Sequence, residues 1–438
     1  MRFSTSLRAI APLFLASAVA AAQESPAVAF SIPPVDAPEL APRGRWGVGV
    51  RTLDLVNPGQ VDILHFDRET GKAPLYDRPL KIEVWYPAVI PAGNPERVTY
   101  ASAMPGTPAP DAPKTFRIPG KALRDAAPVS GERFPLVIVS HGYPGSRTFL
   151  TYLTENLASK GYVVAAIDHT DSVFGAQAAF TSTLLNRAAD QWFTIDALAA
   201  RSLVAGDFLN GLLDASRVAI AGYSMGGYGA LASAGAGYSQ QGGSARTIPG
   251  GYFDPWTAGN AKFEARKRDN LKALVAIAPW GAQPPNSNWD PGGLAGIHVP
   301  SLFIVGDQDD VSGYEKGVRK AFEGAVNSDR RMLVYENARH NVGGNPPPPE
   351  AMGSFTARAF FDEPVWRKDR IAAINQHFIT AFLDLYLKGD ETRRAYLDVP
   401  VKSTEGSTVW KGFQRRWALG LQMYRYAPGE AAPLGISK

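Results

Sequence analysis

The sequence predicts an α/β protein with a mostly parallel central sheet, helices on both faces and lid-like insertions. Two observations carry this. Short, almost wholly apolar runs recur at residues 135–139, 162–167, 217–221, 274–278, 301–305 and 331–335, as suits strands buried on both faces of a parallel sheet. Helix-like segments lie between or after them, at 148–159, 186–213, 225–234, 313–322 and 370–388, the last with Ile371, Ile374, Phe378, Phe382 and Tyr386 at helical spacing. Strand and helix in regular alternation give βαβ units.

The elements follow in chain order. Arg2 and Arg8, an apolar stretch at 9–20 and Ala20-Ala21-Ala22 before Gln23 read as a cleaved export signal, too short to span a bilayer. An exported protein, periplasmic or secreted, is therefore expected. Residues 23–79 read as a flexible Pro/Ala-rich N-terminus followed by an edge strand at 46–55. A second half-buried strand at 80–87 opens the main domain, expected over 80–390. Residues 91–132 are rich in Pro, Gly and Ala and read as loop. Two stretches break the repeat, at about 235–270 and 341–368, and are expected to be lids or surface decoration. Residues 391–438 read as a C-terminal extension of unassigned role.

Composition excludes several classes. A hydrophobic content of 45% with 20% charged residues is that of a globular protein. The net charge of +4 is spread without a dense basic block, so no nucleic-acid partner is expected. No stretch beyond the leader approaches a membrane helix in length. The chain has no cysteine, which removes disulfides and any thiol nucleophile. Its six histidines are not clustered with other ligands, so neither a metal nor an organic cofactor is expected.

The chemistry concentrates at strand ends. Gly222-Tyr223-Ser224-Met225-Gly226-Gly227 follows one apolar run and precedes a helix. A bare G-x-S-x-G is weak evidence in a chain of 43 glycines, where a glycine-rich turn is the plain alternative. The flanking strand and helix make Ser224 a candidate nucleophile on a strained turn. A serine hydroxyl needs a base, and the base needs a partner to hold it. The run at 331–335 leads to His340. The run at 301–305 leads to Gly306-Asp307-Gln308-Asp309-Asp310, so Asp307, Asp309 and Asp310 compete as the acid, with Glu336 nearby in sequence. His141, abutting an earlier strand, reads as structural. His169 reads as a local hydrogen-bonding group, and His65, His298 and His377 lie outside such motifs.

These motifs, with His141-Gly142-Tyr143-Pro144-Gly145, resemble the α/β-hydrolase superfamily over about residues 80–390. Asp168-His169-Thr170-Asp171-Ser172 and the helix around His377 resemble bacterial platelet-activating-factor acetylhydrolase-like proteins, often labelled dienelactone-hydrolase-like. The stretch 134–140, Gly142-Tyr143 and Ala278-Pro279-Trp280 are similar to cutinases and polyester hydrolases. The resemblance implies an α/β-hydrolase fold, Asp309 as the acid, the N–H groups of Tyr143 and Met225 as an oxyanion hole, and Trp280 as a substrate-binding residue. Trp280 packed at a sheet end is the alternative. Dienelactone hydrolases use a cysteine that this chain lacks, so that label describes ancestry.

The expected activity is that of a serine esterase of the acetylhydrolase, lipase or cutinase kind, acting through an acyl-enzyme. Its expected partners are small-molecule, lipid-like or polyester substrates. An amidase or thioesterase on the same machinery, or a non-catalytic binding protein on this fold, are the alternatives.

Overall fold

A computed structural model describes residues 29–105, 115–266, 268–403 and 409–431. The leader at 1–22 lies outside them. The apolar runs form six parallel strands: β5 (Phe134–Ser140), β6 (Val163–Asp168), β7 (Leu213–Tyr223), β8 (Leu271–Ile277), β9 (Ser301–Gly306) and β10 (Arg330–Tyr335). Ahead of them, β1 (Gly47–Val61) and β2 (Leu75–Val89) make a long antiparallel hairpin. A smaller hairpin, β3 (Val98–Ala103) with β4 (Thr115–Gly120), stands where the sequence reads as loop. Its strands are short and lie among Pro and Gly, which hides their alternation. A final strand, β11 (Leu421–Tyr426), pairs antiparallel with β10. Among the described residues, the full-length strands of the main sheet run β11-β10-β9-β8-β7-β5-β6-β2-β1.

Helices cover both faces: α1 (Thr151–Ser159) and α5 (Lys368–Lys388) on one, α2 (Phe180–Arg201) and α3 (Met225–Ser233) on the other. A short helix, α4 (Phe355–Phe361), lies between β10 and α5. Successive strand side chains go to opposite layers. Val137 and Val139 join the core under α1 and α5, whereas Leu136 and Ile138 join the one under α2 and α3. Each such buried side chain contributes roughly 1.5–3 kcal/mol. Helix α2 begins six residues before the expected 186 and ends twelve before 213, the intervening residues forming turns up to β7.

The N-terminal stretch also departs from expectation. Residues 29–45 run as a strap over the body. Ser31 Oγ donates to Glu155 at 2.6 Å, and the Leu40 N–H donates to His377 Nδ1 at 3.1 Å. Prolines at 33, 34, 38 and 42 disfavour a helix here without preventing docking. The C-terminal extension supplies the edge strand β11. Among the described residues, no helix is long and apolar enough to cross a membrane.

Candidate active site

Parallel strands direct their carboxyl ends, and the turns after them, to one edge of the sheet. There β5 delivers residues 141–145, β7 delivers Ser224, β9 delivers Asp309 and β10 delivers His340. Ser224 occupies φ 53°, ψ −115°, a left-handed conformation unfavourable for a residue with a Cβ. Its N–H donates to the Ile277 carbonyl at 2.9 Å, and its carbonyl accepts from Tyr228 at 3.0 Å and Trp280 at 3.1 Å. The flanking glycines make the turn possible. A Cβ at Gly222 would lie 2.2 Å from the Gly226 carbonyl oxygen, and one at Gly226 would lie 2.0 Å from that of Ser140.

His340 Nε2 lies 3.0 Å from Ser224 Oγ, and its Nδ1 lies 3.0 and 3.1 Å from the two Asp309 oxygens. An ionised carboxylate can only accept, so Nδ1 carries the ring proton and Nε2 is free to accept from the serine. Burial alone would push the Asp309 carboxyl up. His340 and the N–H groups of Ser312 and Val311 outweigh it, and the net shift is downward. The other acids make no contact with His340, although Asp310 also lines the cavity at Ser224. Asp310 pairs with Arg339, Asp307 accepts from the Asn337 N–H at 2.7 Å, and Glu336 accepts from Gln422 at 2.8 Å.

Ser224 and His340 line a cavity of about 630 Å³ together with Gly142, Tyr143, Pro144 and Tyr223. Part of the insertion at 341–368 forms the facing wall, including Phe355, Arg358, Phe360 and Glu363. Asn341 ties this lid to the His340 turn, donating to the Ala359 carbonyl at 2.8 Å and the Asp362 carbonyl at 2.9 Å. The insertion at 235–270 lines no part of this cavity. Its Tyr238 stacks on Tyr228 and Trp289 instead. Among the described residues, the N–H groups of Tyr143 and Met225 have no protein acceptor. The Trp280 ring is not part of the cavity wall. It packs edge-on to Phe180 at 5.6 Å and to Tyr228 at 5.8 Å, with Phe180 in turn against Tyr143 at 4.8 Å. No group of three or more His, Asp or Glu residues with metal-site geometry occurs among the described residues.

Behind the site lies a second polar chain, built on His169 as a local hydrogen-bonding group and on Arg78 and Asp190, which the strand-end reading misses. Ser140 Oγ is 2.7 Å from His169 Nε2, and His169 Nδ1 is 2.9 Å from Asp190, which Arg78 grips with two hydrogen bonds of 2.8 and 3.0 Å. His141 accepts the His169 N–H at Nε2 and places Nδ1 2.7 Å from the Gly142 carbonyl. Burial holds His141 well below the ordinary histidine range and pushes His169 down to about 4 and His377 down to about 3. An unfolded histidine titrates near ~6.5, so at lower pH the unfolded chain takes up protons that the folded one refuses. Stability is therefore fully present above that pH and is lost as pH falls toward 4 and below. Urea melts should show the unfolding free energy dropping by up to ~1.4 kcal/mol per pH unit for each such histidine, with His377→Gln flattening the slope. A level profile between pH 6.5 and 4 would contradict this.

The sheet order, the strand–turn–helix around Ser224 and the turns after β9 and β10 define an α/β-hydrolase fold. The family model for platelet-activating factor acetylhydrolase, isoform II, matches residues 118–202. Over 214 residues the chain is 26% identical to cutinase est1 of Thermobifida alba, covering 49% of this chain and 55% of that protein. It is 24% identical over 212 residues to the bis(hydroxyethyl) terephthalate hydrolase of Streptomyces coelicolor, covering 47% and 50%. The chain thus spans about half the length of the relatives it matches. A ferulic acid esterase structure from Streptomyces cinnamoneus aligns with a TM-score of 0.49 at 22% identity, covering 79% of this chain and 91% of that one.

Proposed function

We propose that the chain is an exported serine hydrolase that cleaves carboxylic esters through an acyl-enzyme. Ser224 Oγ attacks the ester carbonyl while His340 Nε2 takes its proton. His340 then returns that proton to the leaving alcohol, and Asp309 holds the imidazolium through Nδ1–H. The N–H groups of Tyr143 and Met225 hold the oxyanion, each such donor typically worth ~3 kcal/mol. Water activated by His340 attacks the acyl-Ser224 carbonyl, releasing the acid and the free serine.

The observation that carries this reading is the unbroken hydrogen-bonded chain from Ser224 through His340 to Asp309 at the wall of a cavity. The aromatic and aliphatic part of that wall suits small or lipid-like esters, and a polyester would have to be engaged past the lid helix α4. The exported location rests on the charge-apolar-small order of residues 1–22. A fluorophosphonate should label Ser224 stoichiometrically, and p-nitrophenyl esters of increasing acyl length should be turned over. Turnover of matched anilides or thioesters in preference to esters would change the substrate class. No labelling and no turnover would leave a binding protein.

The main-chain N–H of Trp280 donates to the Ser224 carbonyl, a bond that any side chain keeps, and the Trp280 ring continues the aromatic series from Tyr143 through Phe180. Trp280→Ala should raise KM or shift the acyl preference through Phe180 and the cavity-lining Tyr143, by about 1 kcal/mol of binding, while the unfolding midpoint changes little. A lowered midpoint with an unchanged acyl ranking would make the ring a packing element only.

A further inference from the structure

Helix α2 sends Arg187, Asp190 and Gln191 to the back of the site, and no step above uses them. Arg187 is buried. Its guanidinium donates to the His141 carbonyl, to the Gly142 carbonyl at 3.0 Å and to Ser172 Oγ at 2.6 Å. Asp190, three residues on along α2, is engaged by Arg78 and His169. A buried cation is costly to keep unless its hydrogen bonds are used. Burial pushes the guanidinium down to about 9, which leaves it charged at neutral pH.

The two carbonyls that Arg187 holds belong to the turn after β5. The peptide group joining Gly142 to Tyr143 is trans and planar, so its C=O and N–H point in opposite directions. With the carbonyl fixed on Arg187, the Tyr143 N–H faces the other way. Gly142 borders the nucleophile: a Cβ there would sit 3.3 Å from Ser224 Cβ. One helical turn on, Gln191 donates to the Gly226 carbonyl at 3.0 Å, in the first turn of α3. Helix α2 therefore grips the structures on both sides of Ser224.

We infer that Arg187 is a positioning residue of the oxyanion site: by holding the His141 and Gly142 carbonyls it aims the Tyr143 N–H at the carbonyl oxygen of the bound ester. Donation to the carbonyl also polarises the peptide group and strengthens its N–H as a donor. The inference rests on the ester-hydrolase reading. The interaction grows as the oxyanion forms, so losing it affects turnover more than substrate binding.

The test uses Arg187→Lys and Arg187→Ala in the full chain, with kcat expressed per site titrated by fluorophosphonate. For p-nitrophenyl acetate, kcat should fall about 10-fold in Arg187→Lys and about 100-fold in Arg187→Ala, with KM within about threefold of wild type. Inhibition by a boronic acid, whose tetrahedral adduct uses the same donors, should weaken in parallel. Added guanidinium should restore part of the kcat of Arg187→Ala while leaving wild type unimproved. An unchanged kcat per titrated site, or a loss confined to KM, would overturn the inference. If Arg187→Ala does not fold, Arg187→Lys decides alone. A wild-type protein that neither labels nor turns over esters sinks the hydrolase reading, whereas active wild type with unaffected variants sinks only the role of Arg187.

Discussion

Ser224→Ala should reduce kcat on any ester by on the order of 10⁴-fold or more, with little change in the thermal midpoint. The hydroxyl bonds to His340 at 3.0 Å, and a single hydrogen bond is worth about 1 kcal/mol. Ser224→Gly makes a sharper control. It removes the same hydroxyl and also the Cβ that makes φ 53° unfavourable, so it should be equally inactive yet no less stable than Ser224→Ala. Calorimetry on both variants, beside ester turnover, separates chemistry from fold. Substantial turnover by either variant would point to another nucleophile.

The second large effect is expected at the acid. Asp309→Asn should lower kcat by roughly 10⁴-fold, because an amide no longer dictates which imidazole nitrogen carries the proton. His340→Ala should be comparably impaired, and neither loss should add to that of Ser224→Ala, since the three act as one unit. Asp310→Asn should retain most of its kcat, because that carboxylate is partly exposed and pairs with Arg339. A crippled Asp310→Asn beside an active Asp309→Asn would move the acid by one residue.

What was legible in the sequence follows from how each feature announces itself. The six parallel strands are dehydrated on both faces, so each is a compact apolar run that composition alone exposes, and β5 extends the run read at 135–139 by only one residue at each end. The hairpin of β3 and β4 is half-solvated, short and interleaved with Pro and Gly, and gives no such run. The strap at 29–45 docks through individual hydrogen bonds to Glu155 and His377, which leave no periodic trace. At the site, Ser224, Asp309 and His340 stand out because each follows a buried strand. His169 follows one too, directly after β6, and reads as a local hydrogen-bonding group, whereas Arg78, Arg187, Asp190 and Gln191 follow none. For Arg187, Asp190 and Gln191 the available signal was a cluster of polar residues on α2 at 186, 187, 190 and 191, a helix face that packs against the sheet. A charged residue on the covered face of a helix is expensive to bury and is there to be paired with something.

The buried chain of Ser140, His169 and Asp190 repeats, in an enclosed setting, the arrangement found at Ser224. A template built from serine, imidazole and carboxylate spacing matches this molecule twice. Both matches have a hydroxyl within 3.0 Å of an imidazole whose other nitrogen meets a carboxylate. They differ in address. Ser140 is the closing residue of an interior strand with no exposed surface, whereas Ser224 stands on a bent backbone at the wall of a cavity. In the enclosed copy the aspartate is also clamped by Arg78, so the same three side chains serve as a brace. Reactivity in such a trio belongs to the room around it, and a distance match that ignores that room picks out the brace as readily as the candidate site at Ser224.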